Sequence, residues 1–311
     1  MSWDEVWGHG RAIAAMQQAL AHGRLSQSLL LSGPPSVGKT LIAATLAQSL
    51  LCQAAPAPCG TCRSCQAVTQ RAHPDCLWLE PESPTTHIPL EAIRHVLQQL
   101  HQTPVQGARH VAVILTIEQL SGEAATTLLK TLEEPPPAAH LILTTHDVGR
   151  CLPTIVSRCQ LLRLMPCSRD ILTDLLVTKR RVAPDLARRL AVIAEGRAGT
   201  ALQLLERADL PTVERFVEQL TGPREWSGER RSELFGVLEQ YLWWCRDRVC
   251  ELAGCAELAS THETAPPLQA PRTLEESSDV LTEALALVEA LEDRANPKLI
   301  QWTLQQRWGP T

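Results

Sequence analysis

The sequence predicts an α/β domain with a mostly parallel sheet, followed by all-helical domains. Short apolar runs of strand length alternate with amphipathic segments through the first half of the chain, as in a sheet with helices on its faces. A glycine-rich loop joins the first of these runs to the next helix. After residue 164 only helical periodicity remains, and such a change usually marks a new domain.

Each predicted element has its own local signal. The first helix places Ile13, Met16 and Leu20 at core spacing, and a later helix begins near Ser121 and stops before three consecutive prolines at 135–137. Strands are predicted at 28–31, 75–79, 110–115 and 140–145. Helices are predicted at 11–21, 41–51, 89–102, 121–134, 170–179, 184–194, 199–208, 211–220, 231–252, 277–293 and 298–307, with a polar loop at 261–271.

The glycine-rich loop fits the nucleotide-binding pattern G-x-x-x-x-G-K-[ST]. Its residues are Gly33, Pro34, Pro35, Ser36, Val37, Gly38, Lys39 and Thr40. Glycine lets the backbone N–H groups turn inward on phosphates, and the helix N-terminus adds partial positive charge. Lys39 is expected to reach the β- and γ-phosphates of ATP or ADP, and Thr40 to offer its hydroxyl to magnesium. The strand before the loop and the helix after it argue against a chance glycine turn.

The acidic partner of this loop is missing from its usual place. A P-loop protein that hydrolyses ATP needs a carboxylate at the end of a neighbouring strand. Leu115 and Thr116 follow the apolar run 110–115 where two acidic residues are expected, and only Glu118 is close. We expect Glu118 to be an ordinary solvated residue, with a displaced magnesium ligand as the alternative.

Four cysteines at residues 52–65 predict a structural metal site. Cys52, Cys59, Cys62 and Cys65 include two overlapping C-x-x-C units and supply enough thiolates for a closed tetrahedral zinc site. Unliganded buried thiols, a redox pair and an iron–sulfur cluster are the alternatives. His73 and Cys76 are substitute ligands by position, although we expect both to be packing residues.

Bulk properties limit the classes of protein that fit. The chain has 311 residues, a formal net charge of −5 and scattered cysteines outside the cluster. The mild negative charge argues against strong nucleic-acid binding by the chain alone. There is no N-terminal signal sequence and no apolar run of membrane-spanning length, so the expected location is the reducing cytoplasm.

With these motifs the chain resembles the clamp-loader branch of the AAA+ ATPases, the family of the bacterial DNA polymerase III γ/τ and δ′ subunits. The resemblance covers most of the chain, and its motifs occur in family order. Besides the P-loop and the four cysteines, the matching pieces are Trp7-Gly8-His9, Arg24-Leu25, His73-Pro74-Asp75, the stretch 128–136 and Thr154-Ile155-Val156-Ser157-Arg158-Cys159.

The resemblance implies a role for Arg158. In this family the arginine of the Ser-Arg-Cys triplet points toward the nucleotide of a neighbouring subunit and acts there as an arginine finger, whose planar guanidinium stabilises transition-state charge. A surface ion pair is the alternative role for such a residue. The family's second sensor, a lid arginine, aligns with Gly199, while Arg197 lies nearby.

Missing catalytic features favour a δ′-like stator over a γ/τ-like motor. The resemblance implies an AAA+ P-loop domain at residues 1–165, a small helical lid at 166–208 and a helical collar domain at 209–311. It also implies assembly with γ/τ and δ in a hetero-pentamer that loads the sliding clamp onto primed DNA. The alternatives are a γ-type ATPase that uses Glu118 and, less favoured, a zinc-dependent nucleic-acid binder.

Overall fold

The computed structural model describes residues 2–83, 86–206, 231–255 and 273–292, together with residues 299, 300 and 303. The chain divides into two compact units. The first comprises residues 1–175 and 196–200, and the second comprises residues 176–195 and 201–311. The finer three-domain division with boundaries at residues 165 and 208 stays a prediction.

A five-stranded parallel sheet forms the centre of the first unit, in the order β2-β3-β4-β1-β5. Because every strand is parallel, all carboxyl ends meet at one edge, which is where open α/β sheets bind ligands. The sheet has the predicted α/β class. The strands are β1 (Ser28–Ser32), β2 (Cys76–Leu79), β3 (His110–Ile114), β4 (Ala139–Thr145) and β5 (Gln160–Arg163).

Helices cover both faces of this sheet because successive strand residues point to opposite sides. Leu29 and Leu31 pack in one apolar layer with helices α1 and α2, and Leu30 packs in the other layer with α4 and α5. The helices bounding these layers are α1 (Gly10–Ala21), α2 (Lys39–Leu51), α3 (Arg63–Thr69), α4 (Leu90–Leu100) and α5 (Gly122–Glu133).

Helix α5 begins where its sequence predicted. The Ser121 hydroxyl accepts a hydrogen bond from the backbone N–H of Ala124 at 3.3 Å, which satisfies one of the donors left open at a helix start. The helix ends at Glu133, directly before the proline-rich segment. The element that precedes Arg158 is a short helix, α6 (Pro153–Val156).

Strand β5, helix α3 and the four-residue helix α6 were not predicted from the sequence. Strand β5 has only four residues and its side chains are partly exposed, so it lacks the fully apolar run that revealed the central strands. Helix α3 begins directly after Cys62, inside the cysteine segment 52–65, and extends beyond it to Thr69. Its seven residues are too few for a helical period to stand out.

Helices make up the described part of the second unit. Helices α7 (Arg169–Arg180) and α9 (Ala198–Glu206) have residues in both units, and α8 (Pro184–Ile193) lies in the second. Helices α10 (Arg231–Leu252) and α11 (Leu274–Glu292) share an apolar cluster that includes Leu238 and Ala284.

The predicted helix 211–220 and loop 261–271 lie outside the described residues, as does most of the predicted helix 298–307. None of the described helices has the length and apolarity needed to cross a bilayer.

We predict that His140 makes the first unit sensitive to acid. His140 lies in β4 opposite Val111 and is 9% exposed. Burial, assisted by the Arg109 charge, lowers the pKa of His140 to about 4 from its ordinary 6.5. The unfolded chain therefore takes up a proton near pH 6.5 while the folded chain does not. The stability that the neutral, buried His140 contributes is therefore fully present above pH 6.5. Between pH 6.5 and pH 4 the free energy of unfolding falls by about 1.4 kcal/mol per pH unit.

Denaturant unfolding at several pH values checks this expectation. His140→Phe should show a shallower loss of stability between pH 6.5 and 4 than the wild type. Parallel stability curves for the two proteins would contradict the assignment.

Candidate nucleotide and metal sites

The P-loop (residues 33–40) connects the central strand β1 to helix α2 at the carboxyl edge of the sheet. Gly38 has a backbone φ of 106°, a conformation that residues with a Cβ rarely adopt. It directly precedes Lys39, the first residue of α2. The imidazole of His9, from the Trp-Gly-His motif, hydrogen-bonds the carbonyl of Val37 at 2.8 Å through Nε2. The N-terminal motif thus holds the loop from the side of α1.

The side chain of Lys39 is buried against the P-loop. The residue is 5% exposed. Its ammonium donates to the carbonyls of Gly33 at 2.6 Å and Pro34 at 2.8 Å, and to Nδ1 of His146 at 2.9 Å. Burial lowers the pKa of Lys39 to about 8, against the opposing effect of the Glu118 carboxylate. The predicted phosphate-binding lysine is therefore in place, with its three protons directed at three acceptors.

The exit of strand β3 lacks the acidic pair but does not leave the site without a carboxylate. Thr116 adopts the left-handed conformation, with φ 56° and ψ 57°, which costs a β-branched residue about 1–3 kcal/mol. Its N–H donates to the hydroxyl of Thr144 at 3.0 Å. A 3₁₀ turn, Ile117–Gln119, follows and turns the chain toward β4.

Glu118 in this turn is not the solvated residue that we expected from the sequence. Its Oε1 accepts from the backbone N–H of His146 at 2.8 Å. Its Oε2 is buried and has no hydrogen-bond partner among the described residues. The turn after Thr116 brings a carboxylate, four residues beyond β3, close enough to raise the pKa of Lys39. Sequence spacing alone could not reveal that this turn brings Glu118 back toward His146 and Lys39.

Gly199 stands at the position aligned with the second sensor, and its backbone contacts the P-loop directly. The Gly199 N–H donates to the carbonyl of Ser36 at 2.8 Å. A Cβ at Gly199 would lie 2.7 Å from that carbonyl oxygen, closer than any side chain tolerates. This close backbone approach leaves no room for a side chain at residue 199.

The four cysteines of residues 52–65 converge as predicted. Their sulfur atoms all lie within 4.8 Å of one another. The Cys52–Cys62 and Cys59–Cys65 sulfur separations are 3.9 Å and 4.0 Å. Tetrahedral zinc with bonds of 2.3 Å requires sulfur atoms about 3.8 Å apart, so the cluster fits a single ion of that geometry.

Backbone N–H groups favour thiolates in this cluster. The N–H of Cys62 donates to the sulfur of Cys59, and the N–H of Cys65 donates to that of Cys62. These bonds lower the pKa of Cys59 to about 6 and lower that of Cys62 as well. Burial raises the pKa of Cys65 to about 12, so this sulfur needs a nearby cation to become a thiolate.

His73 and Cys76 do not join the metal cluster. The His73 ring hydrogen-bonds the hydroxyl of Ser64 at 2.9 Å, and that hydroxyl donates to the carbonyl of Leu51. Cys76 is buried at the start of β2. Both are packing residues, as expected, and His73 anchors helix α3 between two of the cysteines. Gln48 of α2 adds a second anchor by donating to the carbonyl of Cys65 at 2.9 Å.

Arg158 lies on the surface beyond helix α6 and is paired within the chain. Its Nε and Nη2 donate to Oε1 of Glu133 at 2.8 Å and 2.5 Å, and its Nη1 donates to the carbonyl of Thr154 at 3.0 Å. The Arg158 side chain is 34% exposed. The surface ion pair considered from the sequence is therefore the arrangement of Arg158 in the single chain.

The sequence did not reveal His146, which hydrogen-bonds Lys39. It named His9 and Gly199 through the resemblance, but not their hydrogen bonds to the loop backbone. His146 carried no motif of its own. Its position directly after the predicted strand 140–145 was the one available signal, because parallel strands end at a common edge.

Comparison with known proteins identifies the family. The family model described as "DNA polymerase III, delta subunit" matches residues 8–168. The DNA polymerase III subunit gamma of Buchnera aphidicola subsp. Acyrthosiphon pisum is 32% identical over 211 residues, which are 66% of this chain and 58% of that protein. The DNA polymerase III subunit delta′ of Pseudomonas aeruginosa is 40% identical over 136 residues, which are 43% of this chain and 42% of that protein.

A solved structure of a DNA polymerase III gamma subunit-related protein from Thermotoga maritima aligns with a TM-score of 0.47 at 16% identity, covering 96% of this chain and 98% of that one. The chain spans about half the length of the curated relatives named above. The family match covers more than half of the 311 residues. The chain therefore belongs to the family described as "DNA polymerase III, delta subunit", and it carries a P-loop on a parallel α/β sheet.

Proposed function

We propose that this chain is the δ′ subunit of a clamp loader, a stator that helps to load the sliding clamp onto primed DNA. One observation carries the proposal. The P-loop is fully built, yet Leu115 and Thr116 stand where hydrolysis needs carboxylates. The backbone approach of Gly199 removes a second arginine from the same site. A chain of this kind holds nucleotide without turning it over.

The proposed assembly joins this chain to γ/τ and δ subunits in a hetero-pentamer, with the helical region 209–311 in the collar. Nucleotide in the motor subunits then closes the ring and opens the clamp, and primed DNA triggers hydrolysis. These partners are proposed from the family membership of residues 8–168. The complex would act in the cytoplasm.

Arg158 is proposed to supply the arginine finger for the neighbouring nucleotide. To reach that nucleotide it must leave Glu133. An exposed ion pair of this kind contributes only about 0–1 kcal/mol, so a neighbour's triphosphate, with more negative charge and several acceptor oxygens, can displace Glu133. The pair is compatible with a finger that stays on its own chain until the assembly forms.

Zinc is the proposed ion of the cysteine cluster, with Cys52, Cys59, Cys62 and Cys65 as its ligands. The fit rests on the tetrahedral sulfur spacing and on the N–H donors that favour thiolates. A site with four protein ligands has no position left for water. The ion would therefore stabilise the 52–65 segment and take no part in hydrolysis.

A γ-type ATPase remains the second candidate because of Glu118. Its Oε2 is buried, has no hydrogen-bond partner in the part of the chain that the structure describes, and belongs to the turn after β3. A carboxylate in such a place can hold magnesium or orient water. The stator is preferred because Glu118 is already engaged by the His146 backbone.

We predict that purified chain contains one zinc ion and no iron. Cys62→Ser should lower zinc affinity by more than about 10-fold, because it removes one of four thiolates. Cys255→Ser, a change to a half-buried cysteine outside the cluster, is the control and should keep the metal. Metal analysis after dialysis against a chelator measures both. Iron in the purified chain, or full zinc retention in Cys62→Ser, would contradict the assignment.

We predict that Arg158→Ala lowers ATP turnover and clamp loading by the reconstituted complex of γ/τ, δ, this chain, clamp and primed DNA. The loss at the neighbouring site should be on the order of 10³-fold, the usual value of an arginine finger. Arg71→Ala is the matched control, since Arg71 also pairs with a carboxylate at 2.5 Å and is similarly exposed. Equal rates for the two variants would rule out the finger.

We predict no ATP turnover by the isolated chain, because the β3 exit lacks its acidic pair. Steady-state phosphate release measures this directly. Turnover that disappears in both Lys39→Ala and the isosteric Glu118→Gln would instead establish the γ-type ATPase, with Glu118 as its carboxylate. Turnover seen only in the assembled complex fits the stator.

A further inference from the structure

His146 lies outside the P-loop and contacts its lysine through the imidazole. It follows directly after β4, whose last residue Thr145 lies opposite Ser32 at the end of β1. The backbone N–H of His146 is held by Glu118 at 2.8 Å. The imidazole therefore contacts the P-loop lysine from a backbone position that Glu118 holds.

The Lys39 ammonium has three protons and three acceptors in the free chain. Two acceptors, the carbonyls of Gly33 and Pro34, belong to the loop itself. The third is Nδ1 of His146, at 2.9 Å. A bound phosphate oxygen needs one of these protons, so one existing hydrogen bond has to break.

The His146 bond is the one that can break without reshaping the loop. The two carbonyls are backbone atoms whose positions are set by the loop conformation, whereas the imidazole lies on an exposed residue and can rotate away. Burial and the Lys39 charge lower the pKa of His146, so the ring is neutral near pH 7.5 and accepts from the ammonium. An anionic phosphate oxygen is a stronger acceptor than this neutral ring.

We propose that His146 competes with nucleotide phosphate for the Lys39 ammonium and thereby sets the nucleotide affinity of this subunit. The proposal rests on the P-loop binding nucleotide, as put forward above. In the free chain His146 accepts the third hydrogen bond of a buried ammonium, which stabilises the free state relative to the bound one. The ligands that overcome this competition are nucleoside di- and triphosphates with magnesium.

Titration of the full chain with Mg-ADP at pH 7.5 tests the competition. His146→Ala removes the acceptor and should bind Mg-ADP about 3- to 10-fold more tightly, the equivalent of about one net hydrogen bond. His146→Asn is the matched variant, because its amide oxygen can restore an acceptor to Lys39. It should bind within about 2-fold of the wild type.

Each outcome separates the competition from the proposed function. Weaker binding by His146→Ala would mean that the ring contacts nucleotide, and unchanged binding would mean that it does not compete; either overturns the proposal and leaves nucleotide binding intact. Failure of all three proteins to bind Mg-ADP would overturn nucleotide binding, and the competition with it.

Nitrogen NMR of the imidazole gives a second readout that needs no nucleotide. The bond from Lys39 requires the ring proton of His146 on Nε2, with Nδ1 unprotonated, and His146→Asn assigns the signal. A proton on Nδ1 at pH 7.5 would overturn the proposal.

Discussion

The nucleotide site depends on one buried positive charge, the ammonium of Lys39. An unpaired ammonium inside a protein is costly, and here the charge is compensated by two loop carbonyls and one imidazole. Each of these acceptors is positioned by a different constraint. The carbonyls depend on the loop, which His9 holds on one side and Gly199 on another, and the imidazole depends on Glu118. The surroundings of this lysine therefore link β1, β4, the turn after β3 and the start of α9.

The same surroundings explain how a complete P-loop can belong to a chain that is proposed not to hydrolyse ATP. The loop and the lysine are set by local sequence and survive without catalysis. The carboxylates and the second sensor come from other segments, and both are replaced here. Thr116, where the sequence analysis expected an acidic residue, takes a strained left-handed conformation, and Gly199, which the resemblance aligned with the second sensor, contacts the P-loop through its backbone. Strain at a site of this kind persists only where surrounding contacts impose it.

The cysteine segment packs against the P-loop helix α2. Gln48 on α2 is fully buried and bonds to helix α3, and His73 holds the same helix through Ser64. These contacts hold the cysteine-bearing helix against α2. An ion bound by the four sulfurs would then stabilise the 52–65 segment against the P-loop helix, which is a structural role.

The sequence by itself determined the local features of this protein. The P-loop, the four cysteines and strands β1 to β4 each have a signal within a few residues, because loop backbone, ligand spacing and strand hydrophobicity are local properties. Tertiary structure alone decided which distant residues meet. It brought Glu118 and His146 to Lys39, placed Gly199 on Ser36, and paired Arg158 with Glu133. These contacts depend on parallel strands ending at one edge and on chain reversals between them, and no periodicity along the sequence records either.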